Sequence, residues 1–171
     1  MFTLGLLIIH LVIITPVECI NQSQLSFTDA NLSSTFVPKY GNNSYTASNA
    51  IDGNLKTMAH SMCNTLGQEV WLKLWLRWPS WVDHFVIYPM HTGNQYYTRF
   101  QGARIYTKDM ISGQEILCGT LTLETVSGSH TIKCGSVQLV EVVVVRLQKS
   151  TKVCIQLHEI QAFGEHDKIC K

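Results

Sequence analysis

VQLVEVVVVRL, residues 137–147, is an apolar and β-branched run interrupted by single polar side chains at Gln138, Glu141 and Arg146. It is too continuous for a strand with one wet face, and it predicts a central strand buried on both faces. Working outward, short runs of the same kind recur. Trp71-Leu72-Lys73-Leu74-Trp75-Leu76 alternates around Lys73, and HFVIY (84–88) is β-branched and aromatic. Residues 103–107, 115–118, 130–133 and 153–163 complete a set of about seven, punctuated by Gly, Pro, Asn and Ser. Helical periodicity is nearly absent. Such spacing predicts an all-β protein, a β-sandwich or barrel. Residues 20–47 read as polar and loop-like. Trp75, Trp78 and Trp81 read as core or sandwich-edge packing.

The chain has 171 residues, 46% hydrophobic and 15% charged, with a net charge of +1. The length suits one domain, and the apolar fraction excludes a disordered chain. No Lys/Arg tract is present, which argues against nucleic acid as a partner, because neutralising phosphates needs clustered cations. The first 19 residues, MFTLGLLIIHLVIITPVEC, read as a signal peptide cleaved near Cys19 or Ile20. No later stretch is long and apolar enough to serve as an integral membrane span. Sequons at Asn21, Asn31 and Asn42 agree with a secreted, extracellular glycoprotein.

In an oxidising compartment the remaining cysteines should pair. A Cys118–Cys134 bridge would pin the excursion between two strands, and Cys63 then reaches Cys154. Cys170 is left as the odd thiol, a candidate link between chains of a homo-oligomer. No CxxC, GxSxG, HExxH or Gly-rich phosphate loop occurs. The six His beyond the signal lie at no metal-ligand spacing, and the carboxylates are scattered. These absences predict a binding module and not an enzyme.

Ser48-Asn49-Ala50-Ile51-Asp52-Gly53-Asn54 sets oxygen-bearing side chains around a glycine. Such a turn suits a hard cation such as calcium, although spacing alone favours an Asx-rich turn in which Asp52 caps backbone amides.

ASNAIDGN (47–54), Cys63, VWLKLWL (70–76), RFQGARIY (99–106), the Cys118/Cys134 pair and LHEIQAFG (157–164) together resemble an F-type lectin (fucolectin) domain of the discoidin-like, galactose-binding-domain-like group. The resemblance covers residues 25–165, leaving 20–24 and 166–171 as tails. It implies a jelly-roll β-sandwich of about eight strands, with a ligand site in loops at one end. It also implies a structural Ca2+ held by Asn49, Asp52, Asn54 and Glu159, with backbone carbonyls near Met62 and His158. The family's sugar site uses a His and an Arg-x-Asp-x-x-x-x-Arg segment. Those positions fall on Thr65 and on Thr92, Asn94 and Arg99, and the family's vicinal Cys pair falls on Gln95 and Tyr96. Arg99 alone keeps its cationic donor. Each lost charged hydrogen bond is worth about 1.5–3 kcal/mol. The implied partner is a glycan or glycoprotein, bound with fucose or altered preference at a site rebuilt from Arg99, Thr65, Thr92, Asn94, Tyr96, His60 and His91. Tyr96 and Tyr97 would offer stacking faces, or else pack within the loop. The alternative is an extracellular interaction or adhesion module of the same fold without lectin activity.

Overall fold

A computed structural model describes residues 23–41, 43–64, 67–90, 99–122 and 128–166. Eight strands run in the order β1 (Ser23–Leu25), β2 (Phe27–Leu32), β3 (Ala59–His60), β4 (Val70–Pro89), β5 (Arg104–Asp109), β6 (Glu115–Thr120), β7 (His130–Leu147) and β8 (Gln156–Glu165). All pairings are antiparallel. Two strands are far longer than the usual 3–10 residues, β4 with 20 and β7 with 18. They pair with each other along most of their length and serve both layers of the sandwich.

The bend between layers is legible in the register. Trp75 pairs with Val142 and Ser80 with Val140, so four β4 residues, Leu76 to Pro79, stand opposite Glu141 alone. A bulge of this kind lets a strand turn a corner and pass from one sheet to the other. Pro79, which has no N–H for a ladder, sits in this bulge, as prolines within sheets usually must. Before it, β4 lies between β2 and β7, and β7 continues the layer to β5 and β6. After it, β4 lies between β7 and β8, and β8 carries β1 on its far side and β3 at its start. Leu72, Leu74, Ile105, Val143 and Val145 from the first layer meet Phe85, Ile87, Leu157 and Ile160 from the second in one core. Each such side chain contributes about 1.5–3 kcal/mol on burial.

The β-sandwich expected from the sequence is therefore the fold, and both expected disulfides, Cys63–Cys154 and Cys118–Cys134, are formed. Several details differ. Residues 71–76 and 84–88 are one strand, as are 130–133 and 137–147. Residues 20–47 are not wholly loop: β1 and β2 lie within them, and Ser23 and Gln24 pair with Gly164 and Phe163 instead of forming a tail. Both are edge strands with one wet face, so too few apolar residues mark them. β8 starts at Gln156, because Val153 makes only an isolated bridge to Asn64. The tryptophans are not core. Trp78 is 60% exposed at the bulge, and Trp75 and Trp81 are half-buried on the faces turned from the core.

Among the described residues no helix is long and apolar enough to cross a membrane. The signal segment, Cys19 and Cys170 lie outside them.

Candidate functional site

β3 and the start of β8 meet at one end of the sandwich, where Ala59 pairs with Leu157 and His60 with Gln156. The Cys63–Cys154 bond and the Asn64–Val153 bridge clamp the loops on either side. Over this clamp opens a pocket of about 440 Å³, lined by Phe36, Tyr45, Met58, His60, Cys63, Met90, Arg99, Lys152 and Gln156. One wall is aromatic. The Phe36 ring lies 4.6 Å from that of His60, and Tyr45 meets the imidazole edge-on at 5.7 Å.

The opposite side is polar. The Gln156 amide donates to His60 Nε2 at 2.6 Å, which leaves the ring proton on Nδ1. Burial chiefly, then the positive charges of Arg99 and Lys152, holds His60 down to about 4, so the ring is neutral at pH 7. Gln156 Oε1 is buried with no hydrogen-bond partner, in a side chain only 2% exposed. A buried acceptor without a donor costs about 1–3 kcal/mol. His60 with Cys63 and Cys154 forms a group of three metal-type donors. It is no metal centre, because the two sulfurs are bonded to each other and carry no thiolate.

A second feature stands at the early turn. Ala47–Ala50 form a short 3-10 helix, and Gly53 follows with φ of 72°, a left-handed conformation natural to glycine. Asp52 Oδ1 accepts the Asn54 amide at 2.8 Å and Oδ2 accepts the Thr57 hydroxyl at 2.7 Å. The Asn49 side chain donates to the carbonyls of Ser44 and Met58, and Asn54 Oδ1 accepts the Lys56 amide. From β8, Glu159 accepts the Gly53 amide at 3.1 Å. Glu159 is 4% exposed, and burial, with the nearby Asp52 charge adding, pushes its carboxyl up to about 7. A cleft of about 470 Å³ between Asp52, Gly53, Glu159 and β1 adjoins the pair. Asp52 and Glu159 are the two carboxylates that this turn and β8 bring near one another, and they are the side chains here that could hold a hard cation. Asn49 and Asn54 are turned to hold the loop itself.

Of the sugar-site residues expected from the sequence, His60 and Arg99 are brought to one pocket. Thr65, His91, Thr92, Asn94, Gln95, Tyr96 and Tyr97 lie outside the described residues, as do the sequon residues Asn21 and Asn42. The His158 side chain donates from Nδ1 to the Thr57 carbonyl at 2.7 Å. Phe36, Tyr45, Lys152 and Gln156 were not expected at the site. The signal for the last two was the Cys63–Cys154 pairing, which carries the residues around Cys154 to His60.

No protein-family model matches the sequence, and no curated protein sequence does either. Solved structures do resemble it in fold. An F-lectin (fucolectin) from the serum of striped bass, Morone saxatilis, is 20% identical with a TM-score of 0.67; the match covers 87% of this chain and 52% of that one, about half its length. The lectin domain of lectinolysin, complexed with Lewis B antigen, is 19% identical with a TM-score of 0.64, over 80% of this chain and 92% of that one. A family 32 carbohydrate-binding module from Clostridium perfringens, in complex with galactose, is 21% identical with a TM-score of 0.62, over 84% and 99%. The fold is that of the F-type-lectin and discoidin-like β-sandwiches.

Proposed function

We propose that this chain is a secreted, non-enzymatic glycan-binding module whose saccharide sits in the pocket of His60, Arg99, Lys152 and Gln156. The observation that carries the reading is the convergence of these groups. His60 and Arg99 come from distant parts of the chain to one cavity, with Phe36 and Tyr45 beside them and Gln156 hydrogen-bonded to His60. A sugar ring has an apolar C–H face for an aromatic wall and hydroxyls that both donate and accept. The solved structures of similar fold include lectins and carbohydrate-binding modules by name, which supports the same reading. Arg99 is the cation retained at a family sugar position, so fucose or a related glycan is the first ligand to try. Two disulfides in a small β-sandwich support an extracellular location. A structural calcium held by Asp52 and Glu159, with the turn at Asn49 and Asn54 supporting them, would tie the early turn to β8.

The test is a glycan array on the secreted protein, with and without calcium, beside Arg99→Ala. Array binding should be lost in the variant while stability stays within about 1 kcal/mol, as for most partly exposed positions. Binding that is unchanged in Arg99→Ala removes the pocket from the reading. An intact protein that binds no glycan supports the alternative, an adhesion module, which the replacement of two family cations by Thr65 and Thr92 favours.

A further inference from the structure

The sequon at Asn31 lies in β2, and its register partner on β4 is Lys73. Directly paired residues share a face of the sheet, with Cβ atoms about 4.5–5.5 Å apart, and the residues two either side of the partner are diagonal neighbours within reach of a long side chain. Those neighbours are Trp71 and Trp75. The Lys73 ammonium lies 5.8 Å from the centroid of each indole. Ala30 and Leu32 turn to the core, and Asn31 is exposed on the opposite face. On that same face Val144, paired with Lys73, is only 2% exposed, although it points away from the core. Its register partners on either side are Lys73 and Tyr106. Two half-buried indoles and a lysine thus form an apolar platform on the outside of the sheet, beside an asparagine in an acceptor sequence.

We infer that Asn31 carries an N-linked glycan whose first sugars lie on the Trp71–Lys73–Trp75 face. The amide nitrogen that would bear the sugar projects from the position opposite Lys73. An indole presents an electron-rich face, to which the C–H side of a pyranose is attracted as the lysine ammonium is. The glycan would cover the platform and shield it from association with other chains. The inference rests on the secretory route proposed above and is independent of the pocket.

The experiment is intact mass and acrylamide quenching of tryptophan fluorescence on the full chain secreted from a glycosylating eukaryotic cell. Asn31→Gln should lose the mass of one glycan, and its quenching constant should rise above that of the parent. Asn21→Gln and Asn42→Gln serve as controls; each should leave quenching unchanged, whatever mass it loses. Enzymatic deglycosylation of the folded parent should reproduce the rise, so the reading does not depend on the variant folding well. Trp71→Ala with Trp75→Ala should keep the glycan mass and abolish the change on deglycosylation. An unchanged mass in Asn31→Gln overturns the site, and a lost mass with unchanged quenching overturns its seat on the platform. Absence of glycan at all three sequons instead overturns the secretory reading, and this inference with it.

Discussion

His60 is a basic side chain that the fold keeps uncharged. Its ordinary value of 6.5 falls to about 4 in the folded protein, chiefly through burial and then through Arg99 and Lys152. The unfolded chain therefore takes up a proton that the folded chain refuses, so stability is full above pH 6.5 and is lost as pH falls through 4. The loss should approach about 3 kcal/mol. Glu159, raised to about 7, contributes in the opposite sense over the same range, so the test is the difference: between pH 7 and pH 4 the urea midpoint of the parent should fall relative to that of His60→Gln. Equal slopes for the two proteins would remove His60 as the cause. The Asp52–Glu159 pair makes a separate prediction. Calcium should raise the melting temperature of the parent and EDTA should reverse it, while Asp52→Ala should respond to neither. A parent indifferent to both would dispose of the metal. Arg99 was legible as a candidate through the family resemblance, whose second Arg falls on it, and His60 through its nearness in sequence to Cys63 and Thr65. Phe36 and Tyr45 were not, since aromatic residues in a polar stretch carry no period and reach the pocket only by tertiary packing.

At the scale of the element, glycine and proline were read as punctuation between strands, and this rule divided β4 wrongly. Trp78-Pro79 does interrupt the ladder, but the strand resumes at Ser80 on the other side of a bulge. The alternation in 70–76 was a true signal, because one face of that half is core and the other is not. Residues 137–147 were expected to be buried on both faces, and Val143 to Val145 are, while Val137 and Glu141 are exposed. Close approach explains one glycine of β8. A Cβ on Gly164 would stand 1.9 Å from the Trp81 carbonyl oxygen. Backbone must move to admit it, so Gly164→Ala should cost about 3 kcal/mol. A lower urea midpoint at unchanged slope is the expected readout. A midpoint equal to the parent's would mean that β4 and β8 are not this close at the corner.

Across the whole molecule, the two disulfides among the described residues act on different elements. Cys118–Cys134 closes a sequence separation of 16 between β6 and β7, whereas Cys63–Cys154 closes one of 91 and clamps the pocket. Chain-entropy estimates give about 3 and about 4.7 kcal/mol for loops of such lengths. Replacing Cys63 and Cys154 together by Ser should lower the melting temperature by on the order of 10 °C and weaken glycan binding. Replacing Cys118 and Cys134 should lower the melting temperature while sparing the glycan. Equal loss of binding in both pairs would show that the clamp has no special part in the site. The layered β-architecture was legible because strand periodicity survives in the buried halves of long strands. Which loops share an end was legible only through the cysteines.

The first described strand, Ser23–Leu25, pairs with Ala162–Gly164 near the far end of the fold, and His60 pairs with Gln156 on the same strand. During synthesis, the amino-terminal strand and half of the pocket must therefore wait, unpaired, until about residue 165 has left the ribosome. At a usual elongation rate of roughly 5–20 residues per second, the roughly 140 intervening residues take about 7–28 seconds. This junction accordingly forms only once β8 has emerged, and a helper that covers bare strand edges until then would raise the yield.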